Sequence, residues 1–371
     1  MLQRWTAGLA LTLSLLLVGC ATPYSPPVVV KGAPEFQGIV DQLDPAAPLD
    51  VVLVHGMCTK TKKWADEAMD EILLAIDSNI KSSKQEPSVA KAIDAPKIEV
   101  FRRDAETAGG TVRFTALVWS GLTQPLKDQL KFDLTGTPTD CATADECKPQ
   151  RAKLNAIVKD KLLNDCLADV LAYEGASRPF IRRAMVSALS QVLAEGNPGR
   201  PLVLVSDSLG SKVVFDALAD MLDGASPVST QAVGKSAASR MGLVFMNANQ
   251  LPILGLADQD VSQLPAKPSD VKAAPTEPLQ RYLTARRQQG LSTLTVVAFT
   301  DPNDLLSYRL LPSRYKGENI RIADVLVSNS KTFLGLLQMP TTAHEGYSAN
   351  PAVARFIACG QEKAGKNPRC K

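Results

Sequence analysis

Apolar residues along this 371-residue chain fall into two rhythms. Short unbroken runs, rich in Val, Ile and Phe, predict strands buried on both faces: Val51–Val54, Ile98–Arg103, Thr111–Ser120, Leu202–Val205, Met241–Asn247, Leu294–Thr300 and Ile320–Ser328. Stripes recurring every three or four positions predict helices over Thr61–Ile80, Leu154–Tyr173, Pro179–Ala194, Lys212–Leu222, Leu279–Gln289 and near Pro351–Cys359. Gly224 closes the stripe that begins at Lys212, and Gly109-Gly110 separates two strands as a turn. Strands alternating with helices imply an α/β fold with a mainly parallel sheet.

Three stretches lack either rhythm. Residues 21–50 carry Pro23, Pro26, Pro27, Pro34, Pro45 and Pro48 and read as a tether. The polar stretches near 121–150 and 249–285 read as insertions at the sheet rim, the second running into a basic helix. The first suggests a lid or a disulfide-held loop. Arg281, Arg286 and Arg287 of the basic helix suggest a solvated face, with anionic lipid as a neighbour it would suit. Together these boundaries divide the chain into a leader over 1–19, a tether over 20–49 and one domain over 50–371.

The N-terminus changes the picture of where the domain works. Arg4 precedes an apolar stretch from Ala7 to Val18, too short for a stable membrane span, so it reads as a signal peptide. Its end, Leu17-Val-Gly-Cys20, resembles the bacterial lipobox. That resemblance implies a lipidated Cys20 and attachment to the cell envelope. Ala21 after the cysteine favours the outer membrane, with the domain facing the periplasm. The remaining six cysteines, an even number in an oxidising compartment, suggest disulfides. Proximity favours Cys141–Cys147 and Cys359–Cys370, which leaves Cys58 with Cys166.

Composition narrows the chemistry. With 41 basic residues against 38 acidic ones, the net charge of +3 points to no nucleic-acid partner. Two histidines, His55 and His344, are too few for a multi-histidine metal site, and no phosphate-cradling glycine motif is present. No metal or other cofactor is therefore expected.

The candidate chemistry centres on Ser206-Asp-Ser208-Leu-Gly210, which lies between the run at Leu202 and the helical stripe from Lys212. A serine at a strand-to-helix turn is lifted off the sheet beside free backbone N–H groups. Downstream come Thr300-Asp-Pro-Asn-Asp304 at a strand end and Ala343-His344-Glu-Gly after the last strand. With Val54-His55-Gly56 upstream, these residues resemble the α/β-hydrolase superfamily over roughly 50–359. The pattern departs from the family's Gly-x-Ser-x-Gly at Ser206, which also offers a second hydroxyl.

The resemblance implies an α/β-hydrolase fold and an esterase-like or lipase-like enzyme acting on a small-molecule or lipid ester. Ser208 would be the nucleophile, His344 its base and Asp304 the acid, with Asp301 the competing carboxylate. Backbone N–H groups of Met57 and Leu209 would stabilise the oxyanion, and His55 would be structural. Asp207 reads as solvated or turn-forming. Thioesterase, amidase or acyltransferase chemistry would use the same site. A non-catalytic envelope lipoprotein that keeps the fold as a binding scaffold is the alternative of another class.

Overall fold

In the computed structural model, the residues described are 22–77, 88–91, 93, 97–140, 147–267, 270–333 and 335–361. Their centre is a mixed nine-stranded sheet in the order β1-β9-β8-β7-β6-β2-β5-β4-β3. The strands are β1 (Val28–Val29), β2 (Leu49–Val54), β3 (Val89–Lys91), β4 (Glu99–Thr107), β5 (Gly110–Val118), β6 (Leu202–Asp207), β7 (Met241–Asn247), β8 (Leu294–Thr300) and β9 (Ile320–Leu326). From β5 through β2, β6, β7 and β8 to β9 every pairing is parallel, and β1, β3 and β4 complete the edges antiparallel. The α/β class expected from the alternation is what is observed.

Why the inner strands are unbroken apolar runs is visible in their burial. Val51 and Leu53 of β2 join Val203 and Val205 of β6 in the core on one face. Val52 and Val54 join Leu204 and Val244 in the core on the other. Successive side chains point to opposite faces, and both faces are covered, so Val51–Val54 and Leu202–Val205 are apolar at every position. Helices α1 (Lys62–Ile76) and α8 (Pro351–Cys359) cover the first face. Helices α3 (Arg178–Ala194), α4 (Leu209–Leu222), α5 (Val228–Arg240) and α6 (Pro278–Gln288) cover the second. A shorter helix, α7 (Pro340–Glu345), carries His344. The stripe expected to reach Ile80 stops as a helix at Ile76, and residues 78–80 lie outside those described.

After β1 at one edge the chain forms β2 in the middle of the sheet, builds β3, β4 and β5 on one side of it, and then crosses to β6 on the other. The neighbours β2 and β6 therefore form a switch point, where the loops at their carboxyl ends diverge and leave a crevice.

Three readings of the sequence are corrected. The stretch from 22 to 48 lies against the domain instead of extending as a free tether: β1 pairs with β9, and Phe36, Ile39 and Val40 are buried. Its prolines end local periodicity without preventing edge pairing or burial of isolated apolar residues. Helix α6 is not a solvated basic face. Arg286 is buried and donates to the Ala238 and Ser292 carbonyls, while Arg281 pairs with Asp216 and Asp220. Arg287 is the more exposed of the three and meets Glu318. The helical stripe over Leu154–Tyr173 is three pieces: Lys153–Ile157, a π-helical segment Val158–Leu167, and α2 (Ala168–Glu174).

Cys58 and Cys166 form a disulfide, as the remaining pair was expected to. Cys147 and Cys359 are also disulfide-bonded. Cys141 and Cys370, the partners expected for them, lie outside the described residues, as does Cys20. Among the described residues no helix is long and apolar enough to cross a membrane.

Candidate active site

At the end of β6 the chain turns through Ser208 with φ 51° and ψ −127°, then enters α4 at Leu209. This is a positive-φ conformation that a residue with a Cβ adopts only when its surroundings compel it. Here they do. The Ser208 N–H donates to the Asn247 carbonyl at 2.7 Å, and two glycines allow the β2 loop to press against the turn. A Cβ on Gly56 would sit 2.6 Å from the Ser208 Cβ, and one on Gly210 would sit 2.2 Å from the His55 carbonyl oxygen. The turn aims the hydroxyl toward the crevice and leaves the Leu209 N–H, at the first position of a helix, without an acceptor in that helix.

Ser206, the departure from the usual motif, is fully buried, and its Oγ lies 2.9 Å from Ser211 Oγ. Each hydroxyl satisfies the other beneath the turn. Ser208 Oγ is the hydroxyl that meets His344, at 3.1 Å from Nε2.

His344 arrives on α7, and its Nδ1 lies 2.9 and 3.0 Å from the two oxygens of Asp304. A carboxylate straddling Nδ1 makes that nitrogen the donor and leaves Nε2 to accept from the serine hydroxyl. Asp304 is buried and receives two further hydrogen bonds, from Leu306 N at 3.0 Å and from the Tyr347 hydroxyl at 3.1 Å. Asp301, the competing carboxylate, is committed elsewhere. It accepts from Asn303 N, Asn329 N and Gln338 Nε2 at 2.9, 2.7 and 2.9 Å. Asp301 thus ties loops together, whereas Asp304 faces the imidazole.

Tyr347 was not singled out by the sequence. Its hydroxyl accepts from Asp301 N at 2.7 Å while donating to Asp304, so one phenol ties the Asp304 carboxylate to the backbone at the end of β8. Burial, reinforced by the negative charge of Asp304, raises its pKa well above that of an ordinary tyrosine and keeps it a donor. A tyrosine three residues after a histidine carries no signal of this role.

Asp207 also differs from expectation. Instead of being solvated it is half-buried, and desolvation raises its carboxyl above the usual range despite hydrogen bonds from the Asn247 and Trp64 side chains. It lines the same cavity as Ser208 and His344.

His55 is structural in its contacts. Nε2 accepts from Trp119 N at 2.8 Å, so Nδ1 carries the proton toward the Gly56 carbonyl at 2.7 Å. The ring stacks on Trp119, and burial, with the nearby charge of Lys60, lowers its pKa to about 3. It is a neutral strut beneath the loop that follows β2.

That loop brings Met57 to a cavity of about 30 Å³ that Ser208, His344, Asp207, Trp64 and Lys60 also line. Lys60 pairs with Glu345, the residue after the histidine, at 3.4 Å. Of the residues named in advance, Ser208, His344 and Asp304 form one hydrogen-bonded series, Met57 lines the cavity beside them, and Leu209 adjoins Ser208.

No protein-family model matches the chain, and no curated protein matches it either.

One cluster of potential metal ligands occurs among the described residues, Cys58, Cys166 and Glu345. Its two sulfurs are bonded to each other and so do not offer thiolates.

Proposed function

We propose that this protein is an α/β-hydrolase-fold serine hydrolase that cleaves carboxylic esters through an acyl-enzyme. The observation that carries the reading is the unbroken series Ser208–His344–Asp304, with its serine on a positive-φ turn at a helix N-terminus. Further support comes from the order of the parts. The serine follows a central strand, the acid follows β8 and the histidine follows β9, the order characteristic of that fold.

In this mechanism His344 Nε2 takes the Ser208 proton as Oγ attacks the ester carbonyl carbon. Asp304 holds the imidazole in the required tautomer and stabilises the imidazolium. The carbonyl oxygen, now an oxyanion, accepts hydrogen bonds from the Leu209 and Met57 N–H groups. Collapse breaks the bond to the alcohol oxygen, which leaves with the proton from His344. Water then attacks the acyl-Ser208 carbonyl with His344 again as base, and the acid and free serine are regenerated.

The cavity beside Ser208 is small, about 30 Å³, and opens to solvent, so a short acyl group fits within it and a longer one extends outward. The lipobox at Cys20 supports placing the chemistry on the outer membrane, lipid-anchored and facing the periplasm.

The test is labelling with a fluorophosphonate and turnover of aryl esters. Wild-type protein is expected to be labelled, and Ser208→Ala to lose both labelling and turnover. p-Nitrophenyl acetate is expected to be cleaved with at least about tenfold higher kcat/KM than the octanoate, the longer chain lacking a fitted slot. Labelling that survives Ser208→Ala removes the assignment. An unlabelled, inactive wild type favours the scaffold reading.

A further inference from the structure

The loop that presents Met57 is held by residues far away in the chain. Its next three backbone N–H groups each meet a side-chain oxygen. Cys58 N donates to Asp169 Oδ2 at 2.8 Å, Thr59 N to both oxygens of Asp165 at 3.1 Å, and Lys60 N to Ser120 Oγ at 2.8 Å. Cys58 itself lies in the left-handed region, with φ 73°, and its sulfur is bonded to Cys166. Such a conformation in a non-glycine residue persists only where contacts over-determine it.

The gripping residues are themselves organised. Asp165, Cys166 and Asp169 straddle the junction between the π-helical segment and α2. Segments of π-helix are rare and are frequently found at functional sites. Lys127, almost fully buried, reaches Asp165 at 2.9 Å, the Thr59 hydroxyl at 2.9 Å and Asp169 at 3.2 Å. Asp169 is completely buried. Ion pairs buried this deeply add little net stability, because desolvation offsets their attraction. Fold stability alone is therefore a weak account of why they are here, while the loop they hold ends at the cavity.

We propose that Asp169, supported by Lys127 and Asp165, is a positioning residue that fixes the Met57 N–H at the oxyanion site. The inference rests on the hydrolase reading above. Its physical content is preorganisation: an oxyanion donor helps only when it already points where charge develops, and loss of one such donor costs about a hundredfold in rate. Asp169 touches neither substrate nor the reacting atoms. Its effect should therefore appear in kcat and leave ground-state binding alone.

The experiment compares Asp169→Ala with Asp169→Asn in p-nitrophenyl acetate hydrolysis, with thermal melting recorded for each. The asparagine retains an acceptor oxygen for Cys58 N–H, and the alanine does not. Asp169→Ala is expected to lower kcat about tenfold or more while KM stays within about twofold, and Asp169→Asn to recover most of the loss. If the alanine variant does not fold, Asp165→Ala replaces it. That carboxylate is partly exposed, and its loss frees Thr59 with a smaller fall in kcat at unchanged KM. A folded Asp169→Ala enzyme with wild-type kcat overturns the proposal and leaves the hydrolase reading intact. So does a fall in kcat that the asparagine fails to relieve. Wild-type protein lacking any Ser208-dependent turnover would remove both.

Discussion

Two turns face each other across the cavity, and they are held in opposite ways. The Ser208 turn is held from within the sheet: it follows a buried strand, opens a buried helix, and relies on Gly56 and Gly210 to let backbone touch backbone. The Met57 loop, at the end of the neighbouring strand, is held from outside. Its grip comes from Ser120, Asp165, Cys166 and Asp169, residues that lie 60 to 111 positions away. A turn of the first kind is specified by small residues in its own neighbourhood. One of the second kind needs a separate scaffold to supply side chains, and here the stretch from 120 to 174 supplies it.

The largest expected effect comes from breaking the first turn. Gly210→Ala forces a Cβ against the His55 carbonyl, in a place where neither backbone can yield. We expect a loss above about 3 kcal/mol, or no folded protein at all, read by thermal or denaturant unfolding. A variant that melts with the wild type would mean that the close approach of the two turns is not needed.

Breaking the second turn should cost less. Cys58→Ser together with Cys166→Ser removes a crosslink spanning 108 residues and should lower stability by about 3 kcal/mol. Because the Ser208 turn, the elbow between β6 and α4, is untouched, Ser208 should still be labelled by fluorophosphonate, but more slowly. Equal labelling rates in folded protein of both kinds would show that the disulfide serves stability alone.

Ser206→Ala should have the smallest effect and sharpens the contrast from the elbow side. It leaves the buried Ser211 hydroxyl without its partner, at a cost of about 1 kcal/mol, and Ser208 should be labelled at the wild-type rate. Complete loss of labelling in a folded variant would instead move the reacting hydroxyl to Ser206.

Comparing the same two regions explains what could be read in advance. The elbow was legible because strand, small residues and helix are contiguous, and because α/β topology brings strand ends to one edge. His344 was legible by scarcity, as the histidine downstream of the serine. The choice between Asp301 and Asp304 was open, since both follow the same strand. Only the partners at Asn329 and Gln338 show which carboxylate is already engaged. Helix α5 was not anticipated. It is rich in Ala and Ser and packs through Gly234, where a Cβ would meet Met221 at 2.9 Å, so it presents no apolar stripe to detect. The arginines of α6 read as a solvated face because a charge pattern does not reveal the acids and carbonyls that packing brings to them.

What the sequence by itself determined was the seven longer strands, the helices with apolar stripes, and the turn at Ser208. Each depends on residues close together in the chain, where burial on one face or two imposes a period and tight backbone contact demands glycine. What only the tertiary structure decided was the pairing of distant polar groups. His344 faces Asp304 rather than Asp301, Tyr347 joins the Asp304 carboxylate to the Asp301 backbone N–H, and Asp169 holds the loop beside Met57. Hydrogen bonds are directional and short, so the partner is whichever group the packing of the apolar core delivers to within about 3 Å. No local pattern of residue types encodes that delivery.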